Sequence, residues 1–177
     1  MLDTRGTSPK IAEHIATGLT TSLLYRFKVI AHNYNSLAPG LASDIGSIWA
    51  CESPKTMTKP TKLSTSTSSI SITWNEPSDN GGCSISGYSV HVDDAAAGTF
   101  IEANVDQDSL VRLRPSLSTH TVTRLDPINK LGKVYRLKVI AYNSVGMLDS
   151  PELGVVLASL PLAPPAMTYT KATTSNT

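Results

Sequence analysis

The residues best able to do chemistry are few and scattered. The four histidines are His14, His32, His91 and His120. No two sit at H-x-x-x-H spacing and none is spaced with carboxylates as metal ligands are. His32, His91 and His120 fall at outward positions of predicted strands and read as solvated surface residues. Asp93 and Asp94 are adjacent, so on a strand they face opposite ways and cannot act as an acid–base pair without a bulge. The hydroxyls of "DSL", "GTF" and "NSV" lie outside any G-x-S-x-G elbow. "NGG" at Asn80–Gly82 precedes no helical pattern whose N-terminus could hold a phosphate. The two cysteines, Cys51 and Cys83, are too few for a disulfide framework and match no zinc pattern. The sequence therefore implies no catalytic residue, no cofactor and no metal site.

Composition removes further classes. The net charge is +1 and the sequence pI about 7.8, without the concentrated basic face that nucleic acid or an anionic membrane requires. The densest basic cluster is Arg112 to Arg114, two arginines around a leucine. No apolar run reaches the roughly 18 residues needed to span a bilayer. "MLDTRGTSPKIAEH" lacks the apolar core of a signal peptide, and the sequence has no N-x-S/T sequon.

The elements that would position any site are β-strands. "LYRFKVIAHN" (24–33) returns as "VYRLKVIAYN" (134–143). In each copy apolar and charged residues alternate: Tyr25, Phe27, Val29 and Ala31 against Arg26 and Lys28, then Tyr135, Leu137, Val139 and Ala141 against Arg136 and Lys138. Period two with a charged outer row predicts a half-buried antiparallel strand. A repeat this long exceeds the roughly 20–50 residues of solenoid units and fits a whole small domain in tandem. Between the copies, "SISITW" directs Ile70, Ile72 and Trp74 inward, and Pro77 with "SDNGG" marks a turn. "ISGYSVHV" directs Tyr88, Val90 and Val92 inward. "AAAG" reads as a turn, "TFIEAN" and "STHTVTRL" as strands (the latter led by Val122 and Leu125), and "LGVVLAS" as the last strand. About seven strands with no convincing helix predict an all-β sandwich.

"SISITWNEPSDNGGCSISGYSVHV" resembles the B strand, BC loop and C strand of a fibronectin type III domain, through Trp74, Pro77, Gly81, Gly82, Ile85, Gly87 and Tyr88. The two repeated decapeptides resemble that family's F strand, Tyr-x-apolar-x-Val-x-Ala-x-Asn. The resemblance covers about Pro60 to Leu160. It implies an immunoglobulin-like antiparallel sandwich, repeated in tandem. It also places a leucine six residues before the F-strand tyrosine, as part of a tyrosine corner. Leu19 and Tyr25 keep this spacing, whereas Leu125 lies ten residues before Tyr135, so "DPINKLGK" lengthens the EF loop and leaves the partner of the Tyr135 hydroxyl open. The implied core includes Trp74, Tyr88, Tyr135 and Leu125 in the middle unit and Tyr25 and Leu19 in the first. Trp49, aligned with Leu157, is expected in a core, with an interdomain contact as the alternative.

On this pattern residues 1–52 are the E, F and G strands of a first unit ("KIAEHIATGL", "LYRFKVIAHN", "DIGSIWA"). Residues 53–160 are a complete unit, and 161–177 a linker with the first strand of a third, where Pro165 and Met167 echo Pro60 and Leu63. Three strands leave an apolar face open. The chain is then expected to be a window from a longer tandem array, or the product of a truncated gene. The rival reading adds the C-terminal strand of one copy to the open unit of another, which still falls short of seven strands. The family's layout brings the end of one domain against the BC loop of the next, and thus Cys51 near Cys83. A bridge needs Cα atoms roughly 4.4–6.8 Å apart; the other reading, two free thiols, rests on the length of "ESPKTMTKP".

The function the resemblance implies is a non-catalytic structural or adhesive module. Its partners are proteins, including neighbouring domains or further copies, in an extracellular, cell-surface or filament assembly. Arg-Gly-Asp is absent, since "TRGT" lacks the aspartate. The alternatives are an accessory spacer or carbohydrate-contact module of a secreted enzyme, for which Tyr34 and Tyr142 make no platform, and an intracellular cytoskeletal or ciliary scaffold.

Overall fold

The computed structural model describes residues 13–32, 40–103, 114–123, 125, 131–161 and 163–167. Ten strands follow one another without a helix among these residues: β1 (Leu24–Phe27), β2 (Gly46–Trp49), β3 (Thr61–Thr65), β4 (Ile70–Thr73), β5 (Gly87–Val92), β6 (Ile101–Glu102), β7 (Thr119–Val122), β8 (Val134–Tyr142), β9 (Met147–Asp149) and β10 (Leu153–Val156). All pairings are antiparallel. One sheet runs β10-β8-β5-β6 with β9 also on β8, a second runs β3-β4-β7, and β1 and β2 form a separate pair.

The first two sheets face each other around one core. Tyr88, Val90 and Val92 of β5 lie opposite Ala141, Val139 and Leu137 of β8. Ile70 of β4 pairs with Val122 of β7. Together with Trp74, Tyr135, Leu125, Val155 and Leu157 they form a continuous buried cluster. The Trp74 and Tyr88 rings lie 5.4 Å apart at 59°, a tilted arrangement that aromatic quadrupoles favour. The Trp74 indole N–H is buried and has no hydrogen-bond partner among the described residues, so its ring contributes by packing alone.

The last predicted strand, "LGVVLAS", is β10, and β9 stands before it as an additional short strand on β8, with a break between the two at Ser150–Glu152. Pro151 has no N–H to donate, and at this break the Ser150 hydroxyl accepts from the Val139 amide at 3.0 Å while the Ser150 amide donates to Val139 O at 2.8 Å. The "STSTSS" segment forms β3 and a turn in which Ser66 Oγ accepts from the amides of Ser68 and Ser69. A bulge between Lys62 and Ser64 leaves Leu63 exposed.

Several expectations need correction. Glu13–Leu19 is irregular rather than a strand. Gly18 has φ +71°, a left-handed conformation that ends regular pairing. Leu19, expected in a core, is 40% exposed, and Tyr25 is half-buried, because no second sheet faces β1 and β2 among the described residues. His120 is not outward: it pairs with Ile72, and cross-strand partners share a face. It is half-buried, and desolvation holds its pKa below the ordinary value.

Trp49 is also displaced. Tyr25 pairs with Ile48 as Tyr135 pairs with Val155, so Trp49 corresponds to Val156 and not to Leu157. One step of register turns a side chain to the opposite face, and Trp49 stands 54% exposed beside Leu24. Of the segment 161–177, expected to be a linker and the first strand of a third unit, residues 163–167 are irregular and 168–177 lie outside the described residues. Asn33, Tyr34, Arg112 and the loop at 126–130 lie outside the described residues.

Candidate functional site

The most highly connected polar site lies where the chain leaves β2 and meets one pole of the sandwich. The β1–β2 ladder ends with Ala50 N donating to Leu23 O and Ser22 N to Ala50 O. The next residue, Cys51, is bonded to Cys83, with Cα atoms 5.6 Å apart. "ESPKTMTKP" is not a loose tether. Glu52 N donates to Gly81 O, Lys55 N to Asp79 O, and Ser78 N to Thr56 O, so the segment runs along the loop between β4 and β5 like a short extra strand. Pro54 and Met57 are buried beside it. The length of this segment, on which the free-thiol reading rests, is taken up by these backbone hydrogen bonds.

Two glycines make the close approach possible. Gly81 and Gly82 have φ +71° and +82°. A Cβ on Gly81 would overlap the Glu52 carbonyl oxygen, and one on Gly82 would overlap Ser22. The loop therefore needs glycine both for its left-handed backbone and for contact with the β1–β2 side. Asn143 completes the joint from the turn after β8. Its Oδ1 accepts from the amides of Val145 and Gly146, both at 2.9 Å. Its Nδ2 donates to Glu52 O at 2.6 Å and Asn80 O at 2.9 Å. At the solvent edge Lys55 pairs with Glu52. The hydrogen bond and charge of Lys55 hold the Glu52 carboxyl below its usual range, and Glu52 raises Lys55 in return; both are exposed, so this pair is screened.

Two other polar clusters lie on the outer face of the β8 sheet. Asp93 is buried, accepting from Arg136 Nε at 2.8 Å and from the Arg136 amide at 2.8 Å. The Arg136 guanidinium also donates to Gly98 O and lies 5.0 Å from the Phe100 ring centroid. Asp94 instead accepts from Ala96 and Gly98 amides and closes the "AAAG" turn. The two aspartates thus do separate structural jobs. Ser89 Oγ lies 3.1 Å from His91 Nε2 and 2.9 Å from the Tyr142 hydroxyl. A serine beside a histidine is a nucleophile's geometry, but Ser89 has no exposed surface, so no substrate carbonyl can reach it. Among the described residues no group of three or more His, Cys, Asp or Glu could hold a metal ion, and no helix is long and apolar enough to cross a membrane.

No family model matches the chain. Over 149 residues, 83% of its length, it is 31% identical to Fibronectin type-III domain-containing protein 3A of Pongo abelii and of Homo sapiens. It spans only 12% and 11% of those proteins. Its fold matches a crystal structure of consecutive titin domains with a TM-score of 0.55 at 20% identity, covering 76% of this chain and 41% of that one. The sandwich is a fibronectin type III domain. In it β3, β4 and β7 take the places of strands A, B and E, and β5, β8 and β10 those of C, F and G. The pole that meets Cys51 is therefore formed by the BC loop and FG turn of this fibronectin type III domain.

Trp74, Tyr88, Tyr135 and Leu125 lie together in the core of that domain. Leu19 and Tyr25 lie apart from it, although the Thr20 amide donates to the Tyr25 hydroxyl at 2.8 Å, which is the tyrosine-corner bond. The structure brings Cys51 and Cys83 together. Sequence reasoning missed Asn143 as a joint residue and the Asp93–Arg136 pair. The sequence did carry a signal for Asn143: an asparagine closes both repeated decapeptides. Nothing in residue spacing linked Asp93 to an arginine 43 positions on.

Proposed function

We propose that this protein is a non-catalytic structural and adhesive module, part of an extended array of fibronectin type III domains that makes protein–protein contacts. The observation that carries the reading is the joint. A disulfide, backbone pairing and Asn143 hold the end of one strand pair against the pole of the next domain, the pole-to-pole contact that a rod of sandwiches needs. On this reading 1–52 belongs to a preceding domain whose β1 and β2 are its F and G strands, 53–160 is complete, and 161–177 leads into a third. The apolar residues left open on and just after β1 and on β2, Phe27, Val29 and Ile48 among them, support the first assignment. So does the greater length of the relatives.

A persistent disulfide favours an extracellular or cell-surface setting, where thiols stay oxidised. Two measurements test this. Non-reducing peptide mapping of native material is expected to yield the Cys51–Cys83 linked peptide, and free alkylation of both thiols there would remove the extracellular reading. Small-angle scattering of the parent chain is expected to show a maximum dimension that grows with domain number; a compact particle would overturn the array.

A further inference from the structure

We propose that Asn143 is a second lock on the joint, independent of the disulfide, which keeps the segment after β2 seated on the sandwich when the Cys51–Cys83 bond is broken. The purpose of such a lock rests on the array reading; its contacts do not. Asn143 is nearly buried (8% exposed) and uses both ends of its amide. Backbone amides at Val145 and Gly146 can only donate and the carbonyls of Glu52 and Asn80 can only accept, so the amide orientation is fixed chemically.

One end of the side chain therefore builds the FG turn of its own domain. The other reaches outside the strand order to the exit segment of β1–β2 and ties it to the BC loop in the same grip. The backbone pairs Glu52–Gly81 and Lys55–Asp79 lie next to this grip and close with it. Reduction by a dithiol cleaves only the S–S bond: two electrons and two protons pass to the sulfurs, leaving two thiols, and the reductant becomes a disulfide. No hydrogen bond of Asn143 involves either sulfur, so that reaction leaves the second lock in place. The position equivalent to Cys51 after β10 is Ala158, since Ile48 corresponds to Val155. The sandwich's own exit therefore has no cysteine at that place.

Asn143→Asp separates the two ends of the side chain. It keeps oxygen acceptors for Val145 and Gly146 but sets an oxygen against two carbonyls. The test is trypsin cleavage between Lys55 and Thr56, followed by mass, because a protease needs that segment lifted off the BC loop. Cys83→Ser alone is expected to change the cutting rate by less than about twofold, and Cys83→Ser with Asn143→Asp to raise it about tenfold or more. The near-ultraviolet circular dichroism of the sandwich should stay unchanged in both.

Cys83→Ser alone opening the site tenfold would show that the disulfide is the sole lock. The double variant cutting no faster than Cys83→Ser would show that Asn143 serves only its turn. If Asn143→Asp prevents folding, dithiol-reduced wild type reads the same lock without that substitution: slow cutting supports it and a tenfold rise overturns it. Neither opposing result would bear on whether the chain belongs to an array, which scattering decides separately.

Discussion

The same ten-residue pattern occupies two environments in this molecule. In β8 it is the centre of a sheet: Leu137 and Val139 have no exposed surface. In and just after β1 the corresponding Phe27 and Val29 are 38% and 72% exposed. Local pairing is the same, with Tyr25 opposite Ile48 and Tyr135 opposite Val155. What differs is the second layer. Alternation specifies which face is apolar, but burial needs a facing sheet; β3, β4 and β7 supply it for β8, and no described element supplies it for β1. The outer rows differ as well: Arg136 is held by Asp93, while Arg26, its counterpart, is exposed. A strand sequence thus fixes its register and faces before it fixes its stability.

The two tryptophans give the largest contrast. Trp74→Ala is expected to cost the sandwich about 3–5 kcal/mol, and Trp49→Ala less than about 0.5 kcal/mol, in urea melts read by core-sensitive near-ultraviolet signals. Equal costs would erase the difference between the regions. The arginines come next. Arg136→Ala removes the charged donor to the buried Asp93, which keeps only backbone amide donors, and is expected to lower the urea midpoint clearly, whereas Arg26→Ala should be nearly neutral in the same melts. Tyr25→Phe removes the acceptor of the Thr20 amide and is expected to loosen the β1 end by about 1 kcal/mol, seen as faster exchange of the Thr20 amide, without lowering the sandwich's midpoint.

Two further effects are with pH. Burial pushes the Tyr88 hydroxyl up to about 12, so an unfolded chain ionises first, near 10. Stability should therefore fall as pH rises from about 10 to 12, and Tyr88→Phe should flatten that fall. His120 is shifted the other way by burial. The unfolded chain takes up its proton first, so stability should decline slightly as pH drops below about 6.5, and His120→Gln should remove that slope.

The sandwich was legible because its strands keep strict alternation and end at recognisable turns, and because Trp74, Gly87 and Tyr88 fall at fixed offsets. Trp49 is displaced by one step from its alignment with Leu157, and one step reverses the face; His120 lies two residues before Val122, so period two already puts it on the inner face with Val122. Cys51 and Cys83 could be set near each other only through the family's layout of its poles. The joint itself was hidden because its bonds are mostly backbone to backbone, and such bonds leave no residue-type pattern. Only the glycines, which permit contact with Glu52 and Ser22, and the repeated asparagine marked the spot.

Native-state hydrogen exchange across both copies of the decapeptide tests the central contrast most directly. The account predicts that the amides of Val134–Tyr142 exchange only when the whole sandwich unfolds, while those of Leu24–Phe27 exchange through local opening at far lower free energy. Equal, global protection of both stretches in the 177-residue chain would mean that β1 is covered after all, and would contradict it.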